Sequence, residues 1–191
     1  PGGPPPKPVD EMVRPVDPTV NWRAAAVLLL VYPRAHRDYI VFMRRTDQVA
    51  HHKGQISLPG GAQDPTDPDI TYTALREAYE ELGIEPDHVE VRGFLPPVYA
   101  GISSFIINPV IGRLRPDVDV PAFRPNADEV AEVIEVPVDA LRAEGVHRVE
   151  LRSHQGVTYS VHFYTYGPYE IWGATGRIIH EFLNHPELYP H

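Results

Sequence analysis

The most hydrophobic stretch of the chain is the unbroken run at residues 24–32, AAAVLLLVY. After the polar segment 33–38 comes a second run at 39–44, rich in Ile, Val and Phe. Each has the length of a strand and falls far short of a membrane span. Two β-prone runs separated by a short polar segment predict a hairpin. Further strands are expected at 89–96, 105–114, 129–136, 147–152 and 157–166. Helices are expected at 70–82, briefly at 137–143, and at 173–183. Strands outnumber helices and do not alternate strictly with them. The pattern therefore predicts an α/β (α+β) fold with a mixed β-sheet flanked by helices, not a doubly wound parallel one. Residues 1–20 are rich in Pro and Gly and begin without an initiator methionine; they read as a flexible or extended lead-in to one domain over 21–191. No internal repeat is visible.

The segment 58–84, LPGGAQDPTDPDITYTALREAYEELGI, carries the candidate chemistry. At about 100° per residue, Leu75, Tyr79 and Leu82 share one helix face with Ala78 at its edge, and Glu77, Glu80 and Glu81 share the opposite face. Three carboxylates at i, i+3 and i+4 repel one another, which costs a helix stability. An isolated cluster of this kind is ordinarily a solvated acidic face. Two neighbours favour a different role: Arg76 stands four residues before Glu80, and Gly60-Gly61 form a turn able to bring backbone carbonyls close to an ion. Carboxylates with a carbonyl and waters make an all-oxygen shell, which suits Mg²⁺ or Mn²⁺ and not zinc.

Composition narrows the field. Seventeen basic against 26 acidic residues leave a formal charge of −9. A broad basic face for a nucleic-acid backbone or an anionic membrane is therefore not expected. A polyphosphate substrate remains compatible, provided cations screen the site. Without cysteine there is no disulfide, no Cys-ligated zinc and no thiol nucleophile. The sequence has no signal-peptide pattern, so a cytoplasmic protein is expected.

The stretch GGAQDPTDPDITYTALREAYEELGI resembles the Nudix box, Gly-x5-Glu-x7-Arg-Glu-U-x-Glu-Glu-x-Gly-U, where U is bulky and aliphatic. Arg76, Glu77, Glu80, Glu81, Gly83 and Ile84 match the second half without gaps, with Ala78 at the first U. In the first half Asp67 replaces the glutamate, and one extra residue separates it from Arg76. The preceding VFMRRTDQVAHHKGQISLPGG is similar to the coenzyme A pyrophosphatase branch at Arg45, Gly54 and Pro59-Gly60-Gly61. It departs from that branch at Thr46, Ala50 and Leu58. Downstream, NADEVAEVIEVPVDAL and YEIWGATGRIIHEFL also resemble the family and this branch, so the likeness runs over residues 24–183.

The resemblance implies a Nudix-type α/β/α sandwich that hydrolyses a small-molecule nucleoside-linked diphosphate with Mg²⁺ or Mn²⁺. It assigns Glu77, Glu80, Glu81 and the Gly60 carbonyl to the metal. Glu77 or Glu80, behind a positioning Arg76, becomes the general base. Glu129 in the later ADEV loop is the competing base, ahead of Glu132, and a solvated strand end is an equally weighted role for it. Arg45 and Lys53 are the nearby cations for the 3′-phosphate of coenzyme A, although exposed loop charges are more commonly solubilising. Asp67 is expected to fix the loop. Coenzyme A or acyl-CoA leads as substrate; ADP-ribose, nucleotide sugars or nucleoside triphosphates are the alternative, as is a nucleotide-binding module without catalysis. A homodimer is expected by analogy. Outside the resemblance, His51-His52 read as loop residues, and His147, His154 and His162 lie too far apart in sequence to argue for a shared site. Trp172, Ile178, Ile179, Phe182 and Leu183 read as core packing for the last helix.

Overall fold

The two apolar runs form the spine of the fold. In a computed structural model, which describes residues 19–47, 54–101, 103–119, 122–154 and 156–188, they become β1 (Arg23–Arg34) and β2 (Arg37–Arg45), paired antiparallel. The turn is tighter than the polar segment suggests. Only Ala35 and His36 turn, both at positive φ (49° and 63°), the conformation of a two-residue hairpin loop. There follow β3 (Ile56–Ser57), β4 (Gly60–Ala62), α1 (Ile70–Leu82), β5 (Val89–Phe94), β6 (Val98–Ala100), β7 (Phe105–Leu114) and β8 (Val130–Pro137). The rest of the chain forms α2 (Val138–Leu141), β9 (His147–His154), β10 (Val157–Tyr166), β11 (Tyr169–Ile171) and α3 (Gly173–Leu183). The expected bounds hold for α1, β7, β10 and α3. By contrast β3, β4, β6 and β11 were not foreseen, because two or three residues are too few to show a period. Most of the N-terminal lead-in reading lies outside the described residues.

The larger sheet runs β3-β2-β1-β7-β5, with β4 also on β1, β6 on β7 and β8 on β2. Its β1–β7 ladder is parallel and its other pairings are antiparallel. A mixed sheet is thus observed. A second, antiparallel sheet has the order β11-β10-β9.

The unbroken hydrophobicity of β1 follows from burial on both faces. Ala26, Leu28, Leu30 and Tyr32 point to one side, where Val41 and Met43 of β2 join Ala74, Ala78 and Leu82 of α1. Leu29 and Val31 point to the other, with Ile40 and Phe42, against Leu141 of α2, Tyr164 of β10 and Ile178, Ile179 and Phe182 of α3. Helix, sheet, then helices with a small sheet make the sandwich. The α3 stripe packs as expected, whereas Trp172 stays 36% exposed.

The expected polarity of α1 needs correction. Its buried residues are Thr73, Ala74, Ala78, Glu81 and Leu82, while Tyr79 is 48% exposed. Small side chains let the helix lie close on β1 and β4, and Glu81 lies on that inner face, not with the solvated acids.

Candidate active site

β4 is where sequence dictates geometry most tightly. It pairs with β1 so that Val27, Ala26 and Ala25 face Gly60, Gly61 and Ala62. A Cβ on Gly60 would fall 2.3 Å from the Ala26 carbonyl oxygen, and one on Gly61 2.7 Å from both Cδ and Oε1 of Glu77. The first glycine therefore permits the strand contact. The second leaves room for a carboxylate to lie on the backbone.

Asp69 starts α1 by accepting the Tyr72 N–H at 2.8 Å. Gly83 ends it at φ 70°, a left-handed cap whose N–H reaches the Tyr79 carbonyl. Between these ends Glu77 and Glu81 reach β4. Glu81 is 1% exposed and accepts the Gly60 N–H at Oε1, 2.8 Å. Burial pushes its carboxyl up to about 8, against the opposing pull of Arg45 and the Gly60 N–H; Glu77 and Glu129 push the same way as burial. Burial also raises Glu77, opposed by Arg76 and reinforced by the charges of Glu80 and Glu129.

Arg76 organises the outer part of the cluster. It donates from Nη1 to Glu77 (3.1 Å) and to both oxygens of Glu80 (3.3 and 3.2 Å), and from Nη2 to the Ala62 carbonyl (3.3 Å). Asp67 is buried, binds the same guanidinium and accepts the Asp64 N–H and the Thr73 hydroxyl. Arg76 first, then those two donors, hold its carboxyl down to about 2.

Glu129 arrives on a different element. Arg124 and Asn126 donate their backbone N–H groups to the Leu82 and Glu81 carbonyls, so this loop is fastened to the end of α1. The Thr46 N–H in turn holds the Glu129 carbonyl at 3.1 Å. Its charge reaches Glu77 and Glu81. Among the described residues its carboxylate has no ion-pair partner.

Arg45 points inward, onto β4. It donates from Nη2 to the Gly60 carbonyl at 3.3 Å, and Nη1 stands 3.8 Å from Glu81 Oε2. A cationic group thus already sits between a carbonyl and a carboxylate. The donor set around it is all oxygen and rich in negative charge, which fits a hard divalent cation. Lys53 and His51-His52 lie outside the described residues.

An open cleft of about 440 Å³ runs beside β4, lined by Ala62, Gln63, Asp64 and Asp67. Another of about 380 Å³, lined by Arg44, Ile56, Tyr169 and Trp172, opens beyond β3. Two features escaped the sequence. One is the burial of Glu81, for which helical periodicity gave the opposite sign. The other lies across the sheet, where His147 and His162 do meet, together with His180. His154, exposed at the end of β9, is not part of that cluster among the described residues.

The profile of the NUDIX domain matches residues 22–154. The uncharacterized Nudix hydrolase NudL of Citrobacter koseri is 39% identical over 164 residues, covering 85% of this chain and 82% of its own. The protein of the same name from Photorhabdus laumondii is 36% identical over 169 residues, covering 88% and 87%. Among solved structures, the RenU Nudix hydrolase of M. smegmatis superposes with a TM-score of 0.52 at 27% identity, over 63% of this chain and 73% of that one. A MutT/nudix family protein from Enterococcus faecalis gives 0.59 at 14% identity over 91% and 66%, a likeness of fold alone. The domain match and the relatives together establish that this chain belongs to the Nudix hydrolase family, enzymes that act on pyrophosphate bonds.

Proposed function

We propose that this chain is a Mg²⁺- or Mn²⁺-dependent pyrophosphatase that splits coenzyme A or acyl-CoA into 4′-phosphopantetheine and adenosine 3′,5′-bisphosphate. One observation carries the metal-dependent chemistry: Gly60 gives its N–H to Glu81 and its carbonyl to a cationic group, while Glu77 lies on the neighbouring Gly61. Glu77, Glu80, Glu81 and the Gly60 carbonyl would hold the cations. When bound, these neutralise phosphate charge and lower the pKa of a coordinated water.

The chain's own groups then divide the work. Glu81, buried and tied to β4, fixes the position of the site. Arg76 holds Glu77 and Glu80 at a set spacing. Glu129, carried on its own loop and without an arginine partner among the described residues, takes the proton from the attacking water. Arg45 leaves the Gly60 carbonyl and turns to the substrate's phosphates.

The choice of coenzyme A rests on the likeness at Arg45, Gly54 and 59–61 and on the Trp172-Gly173-Ala174-Thr175 segment. The partly exposed Trp172 gives the neighbouring cleft an aromatic face for a nucleobase. Incubation with Mg²⁺ or Mn²⁺ and a panel of coenzyme A, acetyl-CoA, ADP-ribose, nucleotide sugars and nucleoside triphosphates tests this, with products identified by mass. The two named products should dominate. Turnover of ADP-ribose alone would move the substrate, and no turnover of any diphosphate would leave a nucleotide-binding module.

A further inference from the structure

A second cluster of ligating groups belongs to elements across the main sheet from α1. β9 supplies His147, β10 supplies His162 and α3 supplies His180. One ring nitrogen from each lies within 4.8 Å of the others. The register of the ladder explains the first pair: His147 faces Tyr164 and His162 faces Val149, so the two histidines are diagonal neighbours on one face of the hairpin. The third arrives through a glycine. A Cβ on Gly176 would stand 2.2 Å from the His162 carbonyl oxygen, so α3 rests its backbone on β10 at that point. His180, one turn further on, is thereby laid over His162, with ring centroids 4.0 Å apart.

The rings are held. His147 Nε2 and His162 Nδ1 are 2.9 Å apart, joined by a hydrogen bond whose direction the ring tautomers set. Arg177 Nη1 donates to His162 Nε2 at 3.3 Å, and its charge is offset by Glu181 at 2.8 Å. Tyr164 Oη and Asn184 Nδ2 flank the two nitrogens of His180 at 3.3 and 3.4 Å. These contacts fix the ring planes of His162 and His180. His162 is buried, at 6% exposure. His147 is exposed and provides the way in.

We propose that His147, His162 and His180 form a site for a divalent transition-metal ion of the zinc class, fastening the β9–β10 hairpin to α3. Three imidazole nitrogens are a borderline-soft donor set, suited to Zn²⁺, Co²⁺ or Ni²⁺ and poorly suited to Mg²⁺. Tetrahedral bonds of about 2.0–2.1 Å require nitrogens roughly 3.3 Å apart. The His147 and His162 nitrogens, 2.9 Å apart, need to part only slightly once the ion replaces their hydrogen bond, and the His180 nitrogen lies within 4.8 Å of both. A water fills the fourth position. This site is independent of the carboxylate cluster and of the substrate assignment.

The test uses untagged, metal-stripped full-length protein in excess Mg²⁺, which occupies the carboxylates, titrated with Zn²⁺ and separately with Co²⁺. One histidine-dependent ion per chain should bind, with the visible absorption of tetrahedral Co²⁺ and a raised thermal midpoint. His147→Ala, at an exposed strand end, and His180→Ala should each weaken binding by at least about tenfold, while His154→Ala should not. Failure to retain Zn²⁺ or Co²⁺ under excess Mg²⁺ would overturn the proposal. So would wild-type affinity in both His147→Ala and His180→Ala.

Discussion

Arg76 and Asp67 are joined by two hydrogen bonds, Nε to Oδ1 at 3.0 Å and Nη2 to Oδ2 at 2.9 Å. This planar pairing fixes the guanidinium, whose remaining nitrogen grips Glu77 and Glu80. Asp67 is thus the root from which the outer carboxylates are positioned. Its carboxyl titrates at about 2 in the folded chain against 3.8 as a free side chain. Between those values the unfolded chain binds a proton that the native one does not, so stability rises with pH. The contribution is complete above about pH 4 and lost as pH falls toward 2. Asp67→Asn should flatten that acid limb in urea melts and lower both the thermal midpoint and kcat at neutral pH.

Glu81 has the opposite sign. Its folded carboxyl titrates at about 8 and its free value is 4.5, so between them the native chain holds a proton that the unfolded chain has released. Without divalent cations, stability should fall as pH rises from about 4.5 to 8. Glu81→Gln keeps an acceptor for the Gly60 N–H and removes the buried charge. It should stabilise the metal-free protein at pH 8 while abolishing turnover. For the wild type, added Mg²⁺ or Mn²⁺ should stabilise more at pH 8 than at pH 6, since the ion competes with that proton. Thermal melts across pH, with and without cation, check both; a Glu81→Gln protein less stable than wild type at pH 8 would refute the assignment.

The difference between these acids shows what was legible in the chain. Spacing placed Glu77, Glu80 and Glu81 within one stretch of helix, whose bounds, 70–82, the pattern also marked. The run at 24–32 announced a buried strand. A helical wheel sorts residues by polarity, however, and α1 turns its small residues, Thr73, Ala74 and Ala78, to the core and its Tyr79 to solvent. That inversion comes from the close approach to β4, a tertiary fact. The histidine cluster was hidden for the same reason: it depends on the β9–β10 register and on backbone contact at Gly176.

The glycine pair separates structure from chemistry. Gly60→Ala drives a methyl into the β1 backbone, 2.3 Å from the Ala26 oxygen, where nothing can yield; this variant should lose the β4–β1 pairing and fold poorly. Gly61→Ala meets the Glu77 carboxylate at 2.7 Å, the end of a side chain that can move. It should fold with a near-normal thermal midpoint and lose turnover with a raised Mg²⁺ requirement. Circular dichroism melts beside metal-dependence curves distinguish the two. A fully active Gly61→Ala would remove Glu77 from the metal site.

Glu129 provides the sharpest division of roles. Its backbone is pinned between Thr46 and Asn126, so exchanging its carboxylate for an amide leaves the loop in place. If it takes the proton from water, Glu129→Gln should cut kcat by about 10²–10⁴-fold with little change in KM or in the Mg²⁺ concentration for half-maximal rate. Raising the pH should restore part of the rate, because hydroxide then substitutes for the missing base. Glu80→Gln, removing a ligand, should instead shift the metal requirement upward, and excess Mn²⁺ should recover some activity. A Glu129→Gln enzyme that hydrolyses its substrate at the wild-type rate would hand the base to Glu77 or Glu80 and leave Glu129 as a charge that only tunes its neighbours.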